Sequence, residues 1–357
     1  MSFESPLKWP YGVRMAGIGA YLPEAIVTND DLTQLVETSD EWIASRTGIR
    51  ERHVVSGNET VGDLAIKAAF DALESAGMKG EDIELIIVGT STPDTIYPAV
   101  SCQVQHAIGA KKAAGFDMAL ACSGFVYGTV IAQQFLATGM YKNALIIGAD
   151  VHSRYTNWYD RNTCVLFGDG AGAGILVAEE GARNTFFSSN LNVDGSKGKE
   201  LTLYTPVENC PLVEPRTQPE TNTVTMNGRE MFKFAVGLVP SSITRAVEDA
   251  GLTLEDIDHV VLHQANIRIM QAMSERLGVP EEKLVSHLAK IGNTSAASIP
   301  IALNHAVRTG RVKPGDMMVL CGFGAGAAWG STVLEWTAVD KRPAWEVEET
   351  AEEPVSV

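Results

Sequence analysis

Nowhere in the 357 residues does an apolar run approach the roughly 20 residues that a membrane-crossing helix needs. The opening stretch MSFESPLKWPYGVRMAGIG lacks the basic-then-apolar layout of a secretory signal. Cysteine is scarce: five residues, at 102, 122, 164, 210 and 321, are too scattered for a disulfide framework, and none forms a CxxC pair. The seven histidines show no HExxH or ligand-like cluster, so no metal site is expected. Basic residues are outnumbered 28 to 44, and the resulting charge of −16 argues against nucleic acid or an anionic membrane as partner. Together these shortages predict a cytoplasmic protein that uses neither disulfides nor metal. Part of the acidity is local, since residues 341–357 read as a solvated acidic tail.

What the chain does have is apolar residues (45%) and glycine (33), enough for two ordinary domains or one large α/β body. An internal repeat decides between layouts. Ala72–Gly89 reads ALESAGMKGEDIELIIVG and Ala246–His263 reads AVEDAGLTLEDIDHVVLH, a constant offset of 174 positions. Each copy is an amphipathic helix ending at Ala-Gly, a short link and an apolar strand. A second echo pairs ATGMYKNALIIGAD (137–150) with RTGRVKPGDMMVLCG (308–322). Two similar α/β halves follow, 11–185 and 186–340, with sheets covered by helices and a site where strand ends meet. Residues 204–223, with four prolines and no periodicity, read as a surface loop.

Three polar residues fall at such strand ends. Cys122 follows the apolar stretch 116–120, expected to be a buried strand, and precedes helical spacing over 124–137. Small neighbours Ala121, Ser123 and Gly124 permit a tight turn, and a helix N-terminus favours a thiolate. The competing reading is a buried structural cysteine. His263 closes the second-copy strand at the counterpart of Gly89, while His259 precedes the apolar run and reads as surface. Asn293 sits in the small-residue turn KIGNTSAASIP, where asparagine commonly serves backbone geometry alone. GFGAGAAWG (322–330) follows another apolar strand, and neither it nor FGDGAGAGILVA (167–178) meets the requirements of a phosphate loop.

With these residues in place, the chain resembles β-ketoacyl-acyl carrier protein synthase III, a family of thiolase-fold condensing enzymes. The segments that carry the resemblance run in order from about Arg14 to Trp336: TSDEWIASRTGIRERH (38–53), ALACSGF (119–125), FGDGAGA (167–173), HQANIRI (263–269), GNTSAAS (292–298) and GFGAGAAWG. The resemblance implies a layered αβαβα body. It places the family's Cys-His-Asn set on Cys122, His263 and Asn293, and the oxyanion donors on the backbone N–H groups of Cys122 and Ala325. It maps the coenzyme A contacts onto Thr38, Trp42, Arg46, Arg161, Gly228 and Asn266, with coenzyme A thioester a substrate and no cofactor required. Packing for Trp42 and a surface ion pair for Arg161 are the plainer alternatives.

The implied reaction loads an acyl group from acyl-CoA onto Cys122 and condenses it with malonyl-acyl carrier protein, initiating fatty acid synthesis. The implied carrier-protein contacts are Arg268, Lys233 and Arg276. Here the sequence departs from the family, because the helix that often presents basic residues reads SERLG (274–278). The resemblance also implies a homodimer in which Tyr97 closes the partner's acyl pocket and, with Phe323, limits it to short chains. Two other readings use the same residue types. One is a same-fold acyltransferase or condensing enzyme of secondary metabolism with a different acceptor. The other is a papain-like cysteine protease, disfavoured by the missing CG[SA]C[WY] signature and by the repeated halves. A biosynthetic thiolase would add a second cysteine as base, near Cys321.

Overall fold

Ten strands in two sheets carry the architecture of this computed structural model, which describes residues 10–205, 210–214 and 222–343. The first sheet holds β1 (Tyr11–Tyr21), β2 (Leu85–Gly89), β3 (Ala114–Met118), β4 (Asn143–Val151) and β5 (Asp169–Glu180), in spatial order β1-β5-β4-β2-β3. The second holds β6 (Phe186–Val193), β7 (His259–Leu262), β8 (Leu284–Val285), β9 (Met317–Gly324) and β10 (Ala328–Glu335), in order β6-β10-β9-β7-β8. Adding five to each number of the first order gives the second. In both sheets the three strands at one end are parallel, and the other neighbours pair antiparallel.

Local chemistry explains why the repeated segments fold alike. Helix α1 (Asp40–Thr47) lies ahead of the first repeat, which begins within α2 (Val61–Ala76). Gly77 ends α2 with a left-handed φ of 61°, a conformation costly for any residue with a Cβ. The Asp82 carboxylate then accepts the Lys79 backbone N–H at 3.0 Å and starts the turn into β2. In the second copy Gly251 has φ 73°, and the Asp256 carboxylate accepts the Thr253 N–H at 2.8 Å before β7.

Between the sheets lie α4 (Gly124–Ala137) and α7 (Ser298–Arg308), while α3 (Val100–Ala107) joins α2 outside the first sheet. Helices α5 (Gly228–Asp249) and α6 (Ile267–Leu277) cover the second sheet from outside. The central core draws on both sheets and both inner helices, with Val13, Ile146, Phe125, Ile299, Leu303 and Leu320 in one apolar cluster. The result is five alternating layers, α–β–α–β–α.

Two local expectations are corrected. The stretch 116–120 is not an inner strand: β3 spans Ala114–Met118 at the edge of its sheet and turns Phe116 outward. His259 is half-buried rather than on the surface, with Nε2 3.0 Å from Asp316. The assigned tail also begins with packed residues. Lys341 N–H donates to Ser75 O, and buried Arg342 bridges Asp71 and Asp340 at 2.7 and 2.8 Å. The rest of that tail, and residues 206–209 and 215–221 of the expected loop, lie outside the described residues. No helix among the described residues is long and apolar enough to cross a membrane.

Candidate active site

Cys122 stands in a single 3-10 turn, Ala121–Ser123, that leads directly into α4. The turn is tight enough that Ala121 takes a φ of 44°, one of two positive-φ residues other than glycine among the described residues. The other is Ser295, at 51°, whose hydroxyl lies 3.4 Å from the Cys122 sulfur. Two strained residues, 174 positions apart, thus meet at one thiol; such strain persists only where the surroundings hold it. Glycine makes the approach possible. A Cβ on Gly324 would lie 2.9 Å from the Cβ of Cys122, and one on Gly148 would lie 2.1 Å from the carbonyl oxygen of Ala296. Since Gly324 abuts Cys122, the following residue, Ala325, opens its own turn beside the thiol.

The same short segment positions the other two polar residues. Asn293 Oδ1 accepts the Ser295 N–H at 2.9 Å, so its amide nitrogen is the end left to meet a ligand, without an acceptor among the described residues. Its backbone is fixed on both sides, its N–H donating to Leu166 O and its carbonyl accepting from Gly168. His263 continues from β7, where its N–H donates to Cys321 O, and its ring packs edge-on against Phe323 at 5.2 Å between centroids. His263 Nδ1 lies 2.7 Å from Ser298 Oγ. That oxygen already accepts the Gln264 N–H, so its own proton is free for Nδ1. With the Ser298 proton directed at Nδ1, the ring hydrogen sits at Nε2, the tautomer that makes His263 a donor.

Electrostatics separate the roles. Burial holds His263 down to about 3, with the neighbouring His152 adding to the effect, so the imidazole is neutral. Burial also pushes the Cys122 thiol up to about 12, opposed by the Ser295 hydroxyl and reinforced by the Asp150 carboxylate. Burial thus opposes the pull of the helix N-terminus behind Cys122 toward the thiolate. Asp150 is fully buried and accepts from Ser91 N, Thr92 Oγ1 and Ala296 N, tying β4 to the Ser295 segment. Cys321 lies inside β9, fully buried and pushed up to about 12 by that burial, which suits a packed strand residue rather than a second catalytic base. Among the described residues no group of three His, Cys, Asp or Glu side chains could hold a metal.

On the surface beside this centre, Arg46 and Arg161 each place their guanidinium 4.6 Å from the Trp42 ring. Arg161 is anchored by a 2.8 Å bond to Glu37 O, and the Thr38 hydroxyl next to it is buried without a partner. Asn266 caps α6, its Oδ1 accepting from Arg268 N, and Arg268 reaches Ser45 O on α1 at 3.1 Å. Thr38, Trp42, Arg46, Arg161, Asn266 and Arg268 thus share one region. Gly228 begins α5, where an added Cβ would meet Met226 Cε at 3.9 Å, and no contact among the described residues ties it to them. Lys233 pairs with Glu230 at 2.6 Å, while Arg276 lines a surface cavity of about 400 Å³ with Arg245 and Glu248. Sequence reasoning missed Ser295, Ser298 and Asp150. Ser295 and Ser298 lay inside a motif already singled out, but which hydroxyl meets which partner depends on chain crossings that sequence spacing does not encode.

Known proteins are similar to this chain over most of its length. Residues 116–195 match the model of the 3-oxoacyl-[acyl-carrier-protein] synthase III family, and residues 247–336 match its C-terminal model. A β-ketoacyl-[acyl-carrier-protein] synthase III of Bacillus cereus is 48% identical over 324 residues, covering 91% of this chain and 99% of that protein. The crystal structure of a 3-oxoacyl-[acyl-carrier-protein] synthase III from Aquifex aeolicus is 40% identical, with a TM-score of 0.84 and coverage of 91% and 100%. A priming β-ketosynthase of the R1128 polyketide pathway is 33% identical, with a TM-score of 0.85 and coverage of 94% and 100%.

Proposed function

The chain belongs to the β-ketoacyl-[acyl-carrier-protein] synthase III family, and from that premise we infer that Cys122 carries an acyl group from acyl-CoA to malonyl-acyl carrier protein. The reaction is a decarboxylative Claisen condensation that initiates fatty acid synthesis. The observation that carries the role of Cys122 is its sulfur 3.4 Å from Ser295 Oγ, in the segment that also orients Asn293 and His263.

In the first half-reaction the Cys122 sulfur forms a bond to the thioester carbonyl carbon, and the carbon–sulfur bond to coenzyme A breaks. The thiol proton leaves as attack proceeds and ends on the departing coenzyme A thiol. The tetrahedral oxyanion is held by the backbone N–H groups of Cys122 and Ala325. In the second, the malonyl carboxylate leaves as carbon dioxide and its bonding pair becomes an enolate. The enolate oxygen needs donors rather than a base, which the Nε2–H of neutral His263 and the Asn293 amide supply. The enolate carbon attacks the acyl-Cys122 carbonyl, and the released sulfur takes up a proton from solvent. No cofactor enters either step.

The Trp42 face between Arg46 and Arg161 suits the adenine and phosphate end of coenzyme A, since a fixed cation beside an aromatic plane answers both parts. Thr38, Gly228 and Asn266 complete that proposed contact set. Arg268, Lys233 and Arg276 are the proposed carrier-protein contacts, and the active form is proposed to be a homodimer. Exposed Tyr97 and Ile96 support that last reading. The 33% identity to a polyketide priming enzyme favours, as second reading, the same chemistry on another acceptor. Incubation with acetyl-CoA and malonyl-acyl carrier protein should release one carbon dioxide for each β-ketoacyl-carrier protein formed. Hydrolysis of acetyl-CoA with no carbon–carbon bond would contradict the proposal.

A further inference from the structure

His152 is a buried imidazole whose two ring nitrogens, Nδ1 and Nε2, have no hydrogen-bond partner among the described residues. It follows β4 directly, and its backbone is pinned on both sides: Val151 N–H donates to Thr92 Oγ1 at 2.8 Å, and Ser153 N–H donates to Asp169 Oδ1 at 2.9 Å. The ring cannot be turning freely into solvent. One face lies against Phe167 at 4.9 Å between centroids, and the Phe167 backbone is bridged to Asn293. Nε2 is 3.9 Å from Asp150 Oδ2, beyond hydrogen-bond reach, and that oxygen is occupied by Ala296 N–H at 3.2 Å. Ala296 adjoins Ser295, whose hydroxyl meets the Cys122 sulfur. The imidazole thus stands in the wall of the reaction centre, packed beside one catalytic residue's backbone and one residue removed from the nucleophile's neighbour.

A buried donor and acceptor left unmatched is unfavourable, and an apolar side chain of similar size would remove the penalty. We propose that His152 is a specificity-determining residue that selects acyl groups bearing a neutral oxygen, a hydroxyl above all, close to the thioester. The two ring nitrogens can donate or accept, and a hydroxyl answers either. A carboxylate is disfavoured there, because the Asp150 carboxyl group already stands 3.9 Å from the same imidazole. A hydrocarbon chain leaves both nitrogens unmatched.

The inference rests on Cys122 as the acyl carrier, and the test separates the two claims. Loading of Cys122 is followed by intact mass and by coenzyme A release with three primers: butyryl-CoA, 3-hydroxybutyryl-CoA and succinyl-CoA. The parent protein should favour 3-hydroxybutyryl over butyryl by roughly tenfold in kcat/KM, since a site built around a hydroxyl discriminates against its absence, and succinyl should rank last. His152→Leu should bring the hydroxybutyryl-to-butyryl ratio to one or below while raising the thermal midpoint, and His152→Gln should retain part of the preference. A parent that favours butyryl, or a hydroxyl preference that survives in His152→Leu, overturns the proposal. Loading with none of the three primers would instead remove the Cys122 assignment on which it rests.

Discussion

Ser298 Oγ stands 2.7 Å from His263 Nδ1, close enough to donate its proton there and leave the ring hydrogen on Nε2. It receives the Gln264 N–H on one side, which leaves its own proton for the imidazole on the other. The consequence is a His263 that donates through Nε2 as a neutral imidazole.

Ser298→Ala should therefore damage condensation more than loading. With Nδ1 unsupported the ring can populate the wrong tautomer. We expect a loss of roughly tenfold in the malonyl step, below the 10²–10³ typical of deleting a donor outright. Ser298→Thr, which keeps the hydroxyl, should restore most of it. Rapid-quench measurement of the two half-reactions separates them, and an equal loss in both would show that Ser298 merely supports the fold.

The Cys122 thiol, raised to about 12, titrates above the physiological range. Below that value each pH unit raises the thiolate fraction about tenfold, so the iodoacetamide rate at Cys122 should climb steadily from pH 7 to 9. The Cys122 peptide must be read separately, because Cys102 and Cys210 are exposed. A plateau within that range would mean that the helix N-terminus outweighs burial after all.

The difference between what sequence showed and what it did not is physical. Asn293 was singled out through the family resemblance, whereas Cys122 and His263 stood out because each sits where an apolar run stops and small residues or helical spacing begin, a local signal. The shared folding of Ala72–Gly89 and Ala246–His263 was visible for the same reason, through the Ala-Gly helix ends and the Glu-Asp-Ile turns. Phe116 was misjudged because an edge strand and an inner strand carry the same apolar letters, and only the order of strands in the sheet distinguishes them. The upward push on the Cys122 thiol was hidden because its burial comes from residues distant in the chain, Gly322 and Gly324 among them. His152 gave no signal at all: its orphaned nitrogens exist only because Phe167 and Asp150 close around it.

Tyr97 is 87% exposed in this chain and cannot close its own pocket. If it caps a partner's acyl pocket opposite Phe323, loading should peak at short linear chains. Each methylene that finds apolar space gains about 0.8 kcal/mol, and the first that meets the wall reverses the trend. Tyr97→Ala should move the cutoff to longer chains, measured across a series of linear acyl-CoAs. A parent preference for about twelve carbons or more would contradict the gate.

The central claim is that one thiol carries the acyl group while His263 and Asn293 serve the other half-reaction. Intact mass after incubation with acetyl-CoA tests it most directly. The parent, His263→Ala and Asn293→Ala should each gain one acetyl group, and Cys122→Ala should gain none. Stable acetylation of Cys122→Ala, or complete loss of loading in both His263→Ala and Asn293→Ala, would contradict it.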